Sequence, residues 1–257
     1  MLTTMEQTWF WIGLAGMALG ALAFLFMGSS AREEHRHHYV SSVFIALIAG
    51  ISYLAMALGE GQVRVPEGRE LFFARYIDWS LTTPLLLLGL ATLAMFSKAR
   101  EQPGFVAGLL GTDVVMILTG LFAGLSGGAH KWIWYIVSCG AFLAVLAMIW
   151  GPLRAESARQ RADEHALWQR QAGLLTVLWL AYPIVWILGT EGFRLYGGGW
   201  ETLLIAVLDV SAKVGYGFLL LSGLRALAPH SAPAGRVETA GGGRALATEM
   251  GEVSAAD

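Results

Sequence analysis

Seven long apolar runs constrain this chain more than any other feature, at about 9–28, 39–60, 71–96, 104–125, 132–151, 171–190 and 201–224. Each is close to the roughly 20 residues a helix needs to cross the hydrocarbon core of a bilayer. In hydrocarbon every backbone N–H and C=O must be satisfied inside a helix or a closed barrel. Barrel strands run to about ten alternating residues, so runs this long with few charges predict helices. Short polar connectors, such as residues 97–103, leave room only for antiparallel neighbours. The predicted fold class is therefore all-α, a seven-transmembrane-helix bundle over residues 1–228, with no internal repeat. Residues 229–257 are rich in Gly, Ala and polar side chains and are expected to form a disordered tail.

Composition agrees with this reading. The chain is 56% hydrophobic and 14% charged, which excludes an ordinary soluble domain. The formal net charge of −2 identifies no partner, and no basic stripe points to nucleic acid. Residues before the first run lack the basic region of a cleaved signal peptide, so that run is expected to stay as a helix. Cys139 is the one cysteine, which excludes an intramolecular disulfide and reads as a core residue.

Basic residues set the orientation. One side carries 11 Lys and Arg (Arg32, Arg36, Lys98, Arg100, Arg154, Arg159, Arg161, Arg170, Arg225, Arg236 and Arg244), the other 4 (Arg64, Arg69, Lys131 and Arg194). The excess marks the cytoplasmic face, which places the N-terminus outside and the C-terminus inside. The predicted location is the cell inner (plasma) membrane, with the lipid bilayer as first partner.

The charges at membrane depth are Arg75, Asp78, Asp113, Asp209 and Lys213. A charge at that depth costs about 2.5–3.5 kcal/mol on insertion scales, so such groups mark function by default. Asp209 and Lys213 are four apart and share a helix face. They form either a structural ion pair or a lysine poised to make a Schiff base. Arg75, Asp78 and Thr82 share a face of the third helix, so Asp78 and Asp209 are two candidate anions for one buried amine. Arg75 is expected beside them, which makes the set of four neutral. Trp179, Tyr182 and Trp186 recur on one side of the sixth run, around Pro183, while Tyr53 and Trp79 add further rings. Such a stripe serves packing as readily as a cofactor box. Together with a lysine and two carboxylates, it also describes a slot for a long, flat, conjugated aldehyde.

At these residues the chain resembles the microbial rhodopsins, and most closely the bacteriorhodopsin-like proton pumps. The stretch from Arg75 through Asp78-Trp79 and Thr82-Thr83-Pro84 to Leu88 is similar to that family's third-helix signature. Leu208 to Gly215 resembles its retinal-lysine helix, and Trp179 to Trp186 its sixth-helix retinal wall. The resemblance covers all seven runs. It implies all-trans retinal on Lys213, Asp78 as proton acceptor and Asp209 as second counter-ion, with protons and internal waters as transported and bridging species. It also implies that Tyr53 and Tyr182 bond the second counter-ion. By the same match Trp79, Thr83, Leu86, Met116, Gly120, Trp134, Ser138, Phe142, Trp179 and Trp186 wall the chromophore. Asp113 matches a protonated structural partner of Thr83, and Glu191 with Glu201 matches a proton-release pair. On their own those two glutamates read as surface residues at helix ends. Tyr135 is bulky where antenna-binding relatives carry glycine, so no carotenoid antenna is expected. A homo-oligomer, a trimer or similar, is a further expectation.

One departure stands out. The family's proton-donor carboxylate belongs at Gly89, 11 residues past Asp78 and roughly 16 Å along the helix. Glycine cannot donate, and Ser42 and Thr92 hydrogen-bond without supplying a proton near neutral pH. All six histidines (His35, His37, His38, His130, His165 and His230) read as loop or tail residues, with no metal site expected. Reprotonation is then expected through a hydrated path from the cytoplasm. The reading is an outward, light-driven proton transporter rather than an enzyme. Its rival is a sensory photoreceptor signalling through a membrane partner, since sensory relatives often lack the donor. Asp78 argues against chloride pumping, and Asp78/Thr82/Gly89 lacks the Asn-Asp-Gln set of sodium pumps. A non-photochemical transporter or receptor would need Lys213 and Asp209 as a structural pair only.

Overall fold

The computed structural model describes residues 2–95 and 102–227. Among them are seven helices long and apolar enough to cross a membrane. These are α1 (Thr4–Gly28), α2 (Arg36–Ala57, entered through a 3-10 turn at Glu33–His35), α3 (Phe73–Met95), α4 (Pro103–Leu125), α5 (Gly128–Ser157), α6 (Ala162–Leu188) and α7 (Gly198–Ala226). Each packs against its chain neighbours, and α1 closes the bundle against α7. The tail read above as disordered lies outside the described residues, as do Lys98 and Arg100.

The helix ends follow local chemistry rather than the apolar windows. A capping box between Thr3 and Glu6 starts α1, with Glu6 N donating to Thr3 Oγ1 at 3.2 Å and Thr3 N to Glu6 Oε2 at 2.8 Å. Pro103 opens α4, where its missing N–H costs nothing. The sixth helix begins at Ala162, not 171, because it carries Asp163, Glu164 and Arg170 outward beyond its apolar portion. Both α5 and α7 contain a wide π turn, at Ile149–Leu153 and Ser211–Gly215. The second contains Lys213, and such turns concentrate at functional sites.

A short hairpin between α2 and α3 was not legible in the sequence. Its strands β1 (Val63–Arg64) and β2 (Glu70–Leu71) pair antiparallel, with Val63 opposite Leu71. Glu67 at its tip adopts φ 69° and draws together three of the four basic residues of that end. Arg194 donates to it, while Lys131 lies at 3.8 Å and Arg69 at 3.9 Å. The Gly128 N–H, together with these cations, holds the Glu67 carboxyl below its usual range.

The histidine reading needs correction. His37 and His38 lie in α2, His130 in α5 and His165 in α6, while His35 is buried in the 3-10 turn. His38 is 4% exposed, with its ring inside the bundle rather than in a solvated loop. His230 lies outside the described residues. The cause is that α2 starts before its apolar run does, so a polar residue in the first turn can still face inward.

Candidate functional site

The site is built where α7 meets α2, α3 and α6. Lys213 is 3% exposed, and its Nζ lies 2.5 Å from Asp209 Oδ1 and 3.1 Å from Asp78 Oδ2. The i to i+4 relation expected from the sequence is therefore met, and the two carboxylates come from different helices. They are not equivalent. Asp209 also accepts from Tyr53 at 2.8 Å, Tyr182 at 2.8 Å and Trp79 Nε1 at 3.1 Å. Asp78 Oδ1 has no hydrogen-bond partner among the described residues. Thr82 lies beside it, its hydroxyl donating to the Asp78 backbone carbonyl at 2.9 Å. Both oxygens of Asp209 thus accept hydrogen bonds, while Asp78 keeps a free acceptor.

Arg75 also departs from expectation. It does not complete a neutral cluster with Lys213. Its guanidinium turns toward the hairpin end, 3.3 Å from Glu201 Oε1 and 3.0 Å from Thr202 Oγ1. There it lies over the Phe72 ring at 4.9 Å and the Phe10 ring at 5.8 Å. Glu191 and Glu201 are each 4% exposed, so they are buried residues and not surface ones. Thr190 joins them, its N–H donating to Glu201 Oε2 at 2.6 Å and its hydroxyl to Glu191 Oε2 at 3.3 Å. Burial, followed by the negative Glu201 beside it, pushes the Glu191 carboxyl well above the usual carboxylate range.

The raised Glu191 carboxyl has a measurable consequence. A folded-state affinity above the unfolded one stabilises the fold fully below the ordinary carboxylate range, and that stability is lost as pH rises through the folded value. We expect the thermal midpoint to fall on the alkaline side, and Glu191→Gln to flatten that fall. Melting curves across pH check it; an equal alkaline loss in Glu191→Gln would assign the proton elsewhere.

A cavity runs from Lys213 between α3, α4, α5 and α6. Its walls include Trp79, Thr83, Leu86, Met116, Gly120, Ser138, Phe142, Trp179, Tyr182 and Trp186, all expected from the sequence. Thr83 Oγ1 also donates to Asp113 Oδ2 at 2.7 Å, joining α3 to α4 as expected. Tyr53 sits outside the walls, on Asp209. Trp134 is the miss: its ring packs on Phe122 at 5.1 Å, and it is the next residue, Tyr135, that lines the cavity. Tyr135 stacks on Trp186 at 4.8 Å and donates to the Pro183 carbonyl at 3.1 Å. Cys139, read as plain core, lines the cavity as well. So do Pro183, Val185 and Ala212, which lie within the motifs read above, and Tyr76, Ile117 and Ile205, to which sequence reasoning assigned no wall role. Tyr76 could have been found, since it is two residues before Asp78; its hydroxyl accepts from Trp186 Nε1 at 2.9 Å. Gly120 keeps the slot open, because a Cβ there would stand 3.3 Å from Ser138 Oγ. A narrow aromatic slot ending on a buried amine fits a long, flat chromophore joined through that amine.

At the far end of the bundle, Gly89 faces His38. A Cβ at Gly89 would stand 3.8 Å from His38 Nδ1, an atom with no hydrogen-bond partner among the described residues. The expectation that nothing titratable stands near Gly89 is thereby overturned.

Comparison with known proteins gives the same picture. The family model described as "Bacteriorhodopsin-like protein" matches residues 4–227. The chain is similar to a bacteriorhodopsin from Haloterrigena sp. (strain arg-4), 44% identical over 89% of this chain and 93% of that one. Among solved structures it is similar to a thermophilic rhodopsin from Rubrobacter xylanophilus, with a TM-score of 0.83 and 45% identity over 86% of this chain and 96% of that one. It is also similar to a light-driven proton pump rhodopsin from Coccomyxa subellipsoidea, with a TM-score of 0.80 and 34% identity over 86% of this chain and 98% of that one.

Proposed function

This chain belongs to the bacteriorhodopsin-like family of type 1 rhodopsins, a family of light-driven proton pumps, and on that premise we propose that it pumps protons outward with all-trans retinal on Lys213. It is a multi-pass plasma-membrane transporter, not an enzyme, and the family implies a retinal chromophore. The observation that carries the reading is the Lys213 amine held between Asp78 and Asp209 at the end of an aromatic slot. The excess of basic residues supports an orientation with the hairpin end outside.

Joined to Lys213 Nζ, retinal supplies visible absorption and a photoisomerisation that changes which way the nitrogen's proton faces. The chain's own groups do the rest. In the dark, Asp78 and Asp209 keep the nitrogen protonated. Asp78 then takes the proton, because Asp209 is already saturated by three ring donors besides Lys213. Once Asp78 is neutral, Arg75 is drawn further toward Glu201, and the pair of Glu191 and Glu201 loses its stored proton to the outside. The return proton comes from the opposite end. Gly89 cannot supply it, but the buried His38 beside it can, with one imidazole nitrogen to release a proton and cytoplasmic solvent to restore it. His38 thus replaces the purely aqueous return path expected from the sequence. Each proton moves against roughly 2.3 kcal/mol per 100 mV, so the two ends must not be open to the nitrogen together.

Illumination of cells expressing the protein with retinal is expected to acidify the medium, and a protonophore is expected to abolish the signal. Asp78→Asn is expected to remove acidification while retaining a visible band. Alkalinisation, or a light response of undiminished size in Asp78→Asn, would rule out the proposal.

A further inference from the structure

This inference rests on His38 as the source of the return proton and concerns the path from there to Lys213. Two buried polar side chains in that half of the bundle have no part in the pump as described. Gln171 is 0% exposed, and neither Nε2 nor Oε1 has a hydrogen-bond partner among the described residues. Tyr216 is 1% exposed, and its hydroxyl likewise has no partner there. Buried polar groups in proteins are almost always hydrogen-bonded, and an apolar side chain at either position would avoid the cost of burying them.

The helix register places them in order. The antiparallel α6 and α7 touch at Leu167 and Gly223, where a Cβ on Gly223 would collide with Leu167. Gln171 lies one turn deeper than Leu167 and Tyr216 two turns deeper than Gly223, so both project from the contacting faces, about 6 Å and about 10 Å inward. On α2, Tyr39 donates to the Leu221 carbonyl at 3.4 Å, which sets the adjacent His38 near the level of Leu221. That level is five residues, about 7.5 Å, outward of Tyr216. Lys213 is three residues, about 4.5 Å, inward of Tyr216. Along the bundle axis the sequence is therefore His38 and Gln171, then Tyr216, then the Lys213 nitrogen.

We propose that the Tyr216 hydroxyl, positioned by the Gln171 amide, relays the proton from His38 to Lys213. His38 gives a proton to the Tyr216 oxygen as the hydroxyl's own proton passes to the Lys213 nitrogen, each transfer direct or across one water. One O–H bond forms and one breaks, so tyrosine is unchanged; the neutral His38 ring gives up a proton at one nitrogen and takes one from solvent at the other, so it begins and ends neutral. No direct bond joins the two side chains, so Gln171 Nε2 acts on the Tyr216 oxygen across one water and so fixes the direction of the hydroxyl.

Flash photolysis of Tyr216→Phe, Gln171→Leu and His38→Gln tests this, alongside solid-state NMR of ring-carbon-labelled tyrosine in the retinal-free protein. Tyr216→Phe should lengthen the deprotonated life of the Lys213 nitrogen on the order of 100-fold, the lower end of the usual range for a lost acid–base group. The absorption maximum and the rate of transfer to Asp78 should not change. Gln171→Leu should lengthen that life severalfold and shift the Tyr216 ring resonance toward a weaker hydrogen bond, a signature that packing alone would not move. If His38→Gln slows reprotonation while Tyr216→Phe does not, the relay is wrong and the His38 reading stands. A Tyr216 resonance unmoved by Gln171→Leu overturns the role of Gln171. If His38→Gln leaves the lifetime unchanged, both readings fail together.

Discussion

Lys213→Ala is expected to yield a protein that forms no visible band with retinal and no retinyl adduct after borohydride reduction. The amine is the nucleophile at the end of the slot, and alanine offers no bond to replace it. The same substitution should destabilise the retinal-free protein. Breaking a buried ion pair by removing one partner typically costs about 3–5 kcal/mol, because the remaining charge stays buried. Asp209 keeps three donors, whereas Asp78 loses the cation at 3.1 Å and has one oxygen without a hydrogen-bond partner among the described residues. Most of the loss should therefore fall on Asp78, and Asp78→Asn should restore much of it in the Lys213→Ala background. Thermal melts of the retinal-free single and double variants measure this. A visible band in Lys213→Ala, or an adduct mapped to another residue, would end the rhodopsin reading of this site.

The second large effect is expected at His38. With His38→Gln the Lys213 nitrogen must draw its proton from solvent, and its deprotonated life should lengthen on the order of 100-fold. That life should then also grow about tenfold for each unit of rising pH, since solvent protons become the direct reactant. The unmodified protein should show a shallower dependence, because the imidazole rather than a solvent proton is the direct reactant. Gly89→Asp offers the complementary test. A Cβ at Gly89 meets His38 Nδ1 at ordinary contact distance, 3.8 Å, so a carboxyl group can enter once the imidazole is gone. The double variant His38→Gln/Gly89→Asp should recover a fast, weakly pH-dependent return. Flash photolysis from pH 5 to 9, about the range in which histidine and carboxyl donors change charge, reads both slopes. A wild-type lifetime and slope in His38→Gln would remove His38 from the path.

Much of the site could be read from residue order because helical periodicity is local. The faces of α3 and α7 follow from spacings of three and four, which put Asp209 beside Lys213 and Asp78 on one face with Arg75 and Thr82. Distances between helices do not follow from spacing. Arg75 shares a face with Asp78, yet its long side chain reaches Glu201 and Thr202 on α7, and no sequence rule selects that over the Asp78 side. Trp134 and Tyr135 differ by one position, about 100° around the helix, which an apolar helix gives no sequence cue to resolve. His38 was misplaced for a related reason: a polar residue in a first helical turn looks solvated until the neighbouring helices are in place.

The order of residues by itself determined seven spans, their antiparallel run and the pairing of a buried lysine with acids. These follow from length, hydropathy and helical pitch, which are properties of one segment at a time. Only the tertiary structure decided which acid is left with a spare acceptor, that Glu191 and Glu201 are buried against Arg75, and that an imidazole stands where glycine leaves room. Those outcomes depend on helix rotation and on side-chain reach across interfaces, where one small residue such as Gly89 admits a group from another helix.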